Sequence, residues 1–232
     1  MSDLQLIITE DGSHSLFNSD LNETYHSIHG AIQESKHVFI DAGLDHWLKR
    51  NKKSNLRILE IGFGTGLNAL LTCLYPFLGN INIYYKSWEA FPIDPELVVQ
   101  LNYSEKLGSG IFFEKLQSAA WEQAVVISAS FTLHKHQGNL ITDALNEPLR
   151  FDLIYYDAFG PSKQPEIWTK EVLEKIIDVL DVNGLFVTYC AKGQVKRDLK
   201  SLGLVVETLP GPPGKLQMIR ARRSEISLLK IK

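Results

Sequence analysis

The chain has 232 residues, 44% of them hydrophobic, and a formal net charge of −3, so it can bury one sizeable core and nothing in its length demands a second domain. Its two cysteines, Cys73 and Cys190, lie far apart with no C-x-x-C spacing, which argues against a disulfide framework or a zinc site and for a reducing compartment. The sequence holds no internal repeat, low-complexity tract or Pro/Ser-rich linker, and reads as one unit, 1–232, with residues 1–45 as an N-terminal extension packing on the core.

In chain order, the opening Met-Ser-Asp-Leu-Gln-Leu has an early acid and no basic stretch before an apolar one, unlike a secretory signal, so a cytoplasmic protein is expected. Residues 1–40 mix short apolar stretches with turn residues, and 42–50 read as a helix. Ile58, Leu59 and Ile61 then read as a buried parallel strand, which feeds Gly62, Gly64 and Gly66 before a helical pattern over 67–78. Residues 61–79 carry no charge and match a membrane span in length, but the glycines, Asn68 and Pro76 break them into loop, short helix and turn. No membrane segment is expected.

The glycine turn has neither the G-x-G-x-x-G spacing of dinucleotide sites nor the terminal G-K-[ST] of P-loops. It reads Glu60-x-Gly62-x-Gly64-x-Gly66, with a carboxylate before the turn that would repel a pyrophosphate and attract a cation. This resembles motif I of class I S-adenosylmethionine-dependent methyltransferases, whose ligand carries an ammonium and a sulfonium. That resemblance implies cofactor contacts from Glu60, Gly62, Phe63, Gly64, Gly66 and Asn68.

Further along, strands are predicted at 81–88, 131–134, 139–141, 151–156, 184–190, 204–209 and 216–221, and helices at 96–107, 119–124, 170–180 and 195–202. Strands alternating with helices give a doubly wound, Rossmann-like α/β fold with a mostly parallel sheet; the last two strands, joined by Pro210-Gly-Pro-Pro-Gly214, form an antiparallel hairpin. Ligands in such sheets collect at the carboxyl ends of the strands. Three acids stand there: Glu89, placed to take ribose hydroxyls; Asp143, placed to accept from an adenine amine; and Asp157, ahead of the rigid Ala-Phe-Gly-Pro turn. His134 and His136 share a strand face but have no third ligand, so no metal site is expected.

Residues 184–232 carry ten Lys/Arg against three acids, a balance of +7, which leaves −10 on the first 183 residues. The basic part could face a polyanion.

His37-Val-Phe-Ile40, Glu60 through Asn68, and Asp157-Ala-Phe-Gly-Pro-Ser-Lys-Gln-Pro-Glu-Ile-Trp-Thr169 together resemble the methyltransferase module of the MnmC family, bifunctional tRNA 5-methylaminomethyl-2-thiouridine biosynthesis proteins. Tyr25-His-Ser27, Gly30, Glu34, Gly184, Lys192-Gly193, Val195-Lys-Arg197 and Pro210 through Lys215 extend the likeness over nearly the whole chain. The resemblance implies S-adenosylmethionine as cofactor and methylation of a wobble 5-aminomethyl-uridine in tRNA. It also implies that Asp157 orients the amine and Phe159 lines the methyl channel. In the family a fused flavin-dependent oxidase precedes this step; this chain has no room for that domain, so a separate enzyme is expected to supply the aminomethyl precursor. Lys163, Lys192, Lys196, Arg197 and Lys215 are candidate phosphate contacts, and Trp168 is a candidate base-stacking residue, although an aromatic at a turn-to-helix junction more often packs inside. Two rivals are a methyl- or aminopropyl-transferase acting on a small amine and a non-catalytic RNA-binding protein.

Overall fold

The computed structural model describes residues 4–76, 81–145 and 147–224. Strands β1 (Leu4–Ile8), β2 (His14–Asn18) and β3 (Glu23–Thr24) form a small antiparallel sheet. A continuous helical stretch follows: α1 (Ala31–Ser35), a wider π-type segment (Lys36–Asp45), and α2 (His46–Arg50). The predicted helix at 42–50 is therefore the end of a longer one. Its apolar residues Val38, Phe39, Leu44 and Trp47 are buried, and Gly43 lets it approach the central sheet, since a Cβ there would lie 3.2 Å from Val187 and 3.3 Å from Tyr155.

The central sheet is built from β4 (Asn55–Ile61), β5 (Asn82–Glu89), β6 (Ala124–Ser128), β7 (Phe131–Gln137), β8 (Phe151–Tyr156), β9 (Leu180–Thr188), β10 (Leu204–Pro210) and β11 (Gln217–Arg223). Their order is β10-β11-β9-β8-β4-β5-β7-β6. The five strands β9-β8-β4-β5-β7 pair parallel, whereas β6 and the β10–β11 hairpin run antiparallel at the two edges. All six residues of β8 are buried, as a strand covered on both faces requires. The chain winds outward from β4 through β5 to β7, then returns to β8 on β4's other side, so the topological switch lies between β4 and β8. A ligand crevice is expected at that point.

Helices α3 (Leu67–Cys73), α4 (Pro95–Val98), α5 (Tyr103–Leu107) and α6 (Gly110–Ser118) follow β4 and β5, while α7 (Lys170–Asp178) and α8 (Gly193–Ser201) flank β9. In α7 the buried set Val172, Leu173, Ile176 and Ile177 makes one apolar stripe, and the Thr169 side chain accepts from the Val172 N–H at its start.

Several expectations change. The stretch 96–107 splits into α4 and α5, and the 67–78 helix is described only to Cys73, with residues 77–80 outside the described set. Residues 119–124 are not helical: the chain leaves α6 at Ala119 (ψ 132°), takes a left-handed turn at Glu122 (φ 63°) and enters β6. Residues 139–141 are not a strand, because local side-chain bonds outcompete the ladder. Asn139 N–H donates to Asp143 Oδ2 (2.7 Å), and Ile141 N–H to Asn139 Oδ1 (2.9 Å).

Candidate active site

A cavity of about 1370 Å³ opens at the carboxyl ends of β4, β5 and β8, above the switch point. It exceeds the roughly 300–1,000 Å³ usual for a single ligand, which leaves room for two reactants. The small N-terminal sheet supplies one wall through Phe17, Asn18, Glu23, Thr24 and Tyr25, the glycine turn the floor, and the turn after β11's predecessor, with Lys215, Leu216 and Gln217, part of the rim.

The floor follows from the glycines. Gly62 has φ +90°, and a Cβ there would sit 2.6 Å from the Asp157 carbonyl oxygen, so the two strand ends touch only because this residue lacks a side chain. Gly66 caps α3 at φ +77°, where a Cβ would meet Gln117 Nε2 at 2.5 Å. Gln117 braces the turn by donating to the Thr65 carbonyl (2.9 Å). Phe63 lines the floor and packs edge-on against Trp121.

Glu89 ends β5 with both oxygens engaged: the Gly64 N–H donates to Oε2 (3.0 Å) and the Phe91 N–H to Oε1 (2.8 Å). Burial raises its carboxyl above the usual range despite these bonds. Glu60, in contrast, lies behind the floor and does not line the cavity. It is fully buried, accepts from Ser87 Oγ (2.8 Å), and burial pushes its carboxyl up to about 8. Because it lies behind the floor, the cation-attracting carboxylate expected at this position does not meet a ligand in the cavity.

Asp157 follows β8, and Asn68 Nδ2 donates to its Oδ2 (2.7 Å). Its Oδ1 accepts no hydrogen bond among the described residues and is left to the cavity. Burial first, then the charge of Glu34, push this carboxyl up to about 7, against the pull of the Asn68 bond and Lys215. Phe159 lines the cavity too, packed edge-on against Tyr25 with ring centroids 4.9 Å apart.

Other expected site residues lie elsewhere. Asp143 is exposed and outside the cavity; its oxygens accept from Asn139 N–H and Thr142 Oγ1, while Gly138, Asn139, Leu140 and Ile141 face the cavity in its place. Trp168 is 4% exposed, donates to the Phe159 carbonyl (2.7 Å) and packs on Tyr156, so it supports the Asp157 loop from inside and cannot stack a base. Lys163 donates to the Asn22 carbonyl (2.9 Å), and Lys196 to Gln217 Oε1 (3.1 Å). Arg197 is exposed and donates to Gln194. Of the basic candidates, Lys192 and Lys215 line the cavity. Lys215 is already paired with Glu34 and sits 3.9 Å from the centre of the Tyr189 ring, which makes it a wall residue rather than a free phosphate contact.

Not foreseen from the sequence are Glu34 and Tyr189, which line the cavity, and Lys135, which supports the floor from behind. Lys135 is 2% exposed; it donates to the Gln117 carbonyl (2.8 Å) and lies over Phe63 and Trp121, behind the glycine turn. Its inward alternation with Phe131 and Leu133 along β7 was the available signal. His134 and His136 bond to Tyr84 and Glu122, and no group of three metal-ligating side chains occurs among the described residues. No helix among these residues is long and apolar enough to cross a membrane.

The site suits S-adenosyl-L-methionine on its own geometry. A side-chain-free floor, a carboxylate fixed at the second strand's end, and the buried, unpartnered Oδ1 of Asn68 beside Asp157 offer the contacts a nucleoside amino acid needs. Comparisons with known proteins agree. A family model described as S-adenosyl-L-methionine-dependent methyltransferase matches residues 115–224. The bifunctional tRNA 5-methylaminomethyl-2-thiouridine biosynthesis protein MnmC of Idiomarina loihiensis is 29% identical over 87% of this chain, and that of Aromatoleum aromaticum 25% identical over 96%. The chain spans 36% of the length of each. The crystal structure of MNMC2 from Aquifex aeolicus shares the fold, with a TM-score of 0.78 at 24% identity, covering 100% of this chain and 76% of that one. In its matches and its site, the chain is similar to the S-adenosyl-L-methionine-dependent methyltransferases and to the MnmC proteins.

Proposed function

We propose that the chain methylates the aminomethyl group of 5-aminomethyl-(2-thio)uridine at the tRNA wobble position, giving 5-methylaminomethyl-(2-thio)uridine. The observation that carries this is the charge of the cavity. Asp20, Glu23, Glu34, Glu89, Asp157 and Glu166 line it, against Lys192 and Lys215. Such a lining favours an ammonium and rejects a phosphate, so a base carrying an amine enters while the RNA backbone stays outside. Lys192, at the start of α8, and Lys196 and Arg197 along it offer the adjoining basic surface.

S-adenosyl-L-methionine supplies, when bound, a methyl group on a positively charged sulfur. An aminomethyl group arrives protonated and must lose a proton before its lone pair can attack. Asp157 Oδ1 is the free acceptor at the mouth, and a carboxyl lifted to about 7 takes that proton more readily than an ordinary one. Transfer of that methyl group to the neutral amine would carry the positive charge from sulfur to nitrogen, so no additional charge would need to be stabilised. Asn68 fixes the Asp157 carboxylate, and Phe159 with Tyr25 supplies an apolar wall that aligns the methyl acceptor. Gly62, Phe63, Gly64 and Asn68, which line the cavity, would form the floor under the cofactor, and Glu89 would accept from its ribose hydroxyls. The names of the relatives support the RNA substrate, and their bifunctional description leaves the aminomethyl precursor to a separate or additional catalytic unit.

Methyl transfer from labelled cofactor to bulk tRNA of a strain lacking the modification tests this reading. Nucleoside mass analysis should show 5-methylaminomethyl-uridine, with a rate that falls steeply as salt rises. Label absent from RNA while the cofactor binds would overturn it. The second reading, transfer to a small amine, draws on the same acidic lining and predicts activity on free amines that is indifferent to salt.

A further inference from the structure

Asp157 is surrounded by a clasp that the cofactor site does not require. Glu34, 5% exposed on α1, is fixed by the Ser27 N–H, which donates to its Oε2 (2.6 Å). Its Oε1 accepts from Lys215, in the turn joining β10 and β11. The Lys215 ammonium lies 3.9 Å above the Tyr189 ring, and the Tyr189 O–H donates to the carbonyl of Ala158, next to Asp157 (2.8 Å). Helix, hairpin turn and Asp157 loop, far apart in sequence, are thus tied through one ion pair between a buried carboxylate and a half-buried ammonium, and one cation–π contact.

We propose that Glu34 and Lys215 are positioning residues for Asp157: the pair clamps the hairpin turn over the Asp157 loop and places two opposite charges beside its carboxylate. This rests on the amine-methylation reading for its kinetic consequence, but not for its structural one. Glu34 raises and Lys215 lowers the proton affinity of Asp157, so removing either charge moves its titration in opposite directions. Glu60 on β4 and Tyr85 on β5 also interact with Asp157 and are the same in both variants, as is Tyr189 after β9, whose own surroundings change because its ring underlies Lys215 and its hydroxyl feels Glu34.

The test compares Glu34→Gln, which keeps the acceptor for Ser27, with Lys215→Met and Lys215→Arg. The carboxyl stretch of Asp157, assigned by its loss in Asp157→Ala, is titrated by infrared spectroscopy in the protein alone, and the pH profile of kcat is measured alongside. Lys215→Met should move both to higher pH and lower kcat about tenfold, with cofactor affinity held within about twofold. Glu34→Gln should move both to lower pH, and Lys215→Arg should restore the parent profile, since arginine keeps the charge and the ring contact. Titrations that superimpose on the parent, or shift in the same direction in both variants, would overturn the proposal. The infrared titration needs no RNA, so it decides the clasp even if the tRNA reading fails; a variant that does not fold leaves the other to decide it.

Discussion

Asn68 and Asp157 meet across the switch point of the sheet, the amide of one donating to the carboxylate of the other at 2.7 Å. One residue lies in the first turn of the helix after the glycine turn and the other directly follows β8, so the bond joins the floor of the cavity to the carboxylate beside it. Replacing Asn68 by Ala should lower kcat by about ten- to a hundredfold, because the acid loses its orientation and its one charge-assisted donor. Single-turnover methyl transfer measures this.

Glu89 and Asp143 separate by position. Glu89 faces the cavity with its carboxylate pinned, whereas Asp143 closes its own loop. Isothermal titration should show Glu89→Ala weakening cofactor binding about tenfold or more and Asp143→Ala changing it by less than about twofold, the loss of one or two charged hydrogen bonds against none.

Stability should fall as pH rises through neutrality. The folded-state carboxyls of Glu60 and Asp157 are raised to about 8 and about 7, above their unfolded values near 4, so the folded protein binds more protons in between. Their contribution is present in full below about pH 4 and is lost progressively up to about pH 8. Glu60→Gln keeps the acceptor for Ser87 and removes the larger of these two titrations. Its melting temperature should therefore depend less on pH between about 5 and 8, with a gain of a few degrees at the alkaline end.

Gly62→Ala places a Cβ at 2.6 Å from the Asp157 carbonyl in a left-handed backbone. The backbone strain alone is worth about 1–3 kcal/mol, and relief of the clash must part β4 from β8. Thermal melting should show the loss, and cofactor binding should disappear with it.

Much of this was legible because its cause is local. The short apolar run 153–156, bounded by Asp152 and Asp157, reads as a strand buried on both faces, and three alternating glycines after a strand announce a close backbone approach. What escaped depends on distant partners. Asp143 reads as a strand-end acid, but the Asn139 side chain and Asp143 satisfy the local backbone and turn the carboxylate away. Trp168, by contrast, packs inside as its turn-to-helix position favours, under Phe159. Glu34 meets Lys215 across 181 residues, and no local pattern encodes that pairing. The continuous helix over 31–50 was hidden because β-branched and aromatic residues at 38–40 favour strand by propensity, and burial against Tyr155 and Val187 overrides it.

The most direct measurement is methyl transfer by Asp157→Ala, read beside its cofactor affinity. If Asp157 takes the proton and orients the amine, affinity stays within a few-fold while single-turnover transfer falls by about a hundredfold or more. Transfer at the parent rate with normal affinity would show that the carboxylate at the end of β8 is not the group on which the chemistry turns.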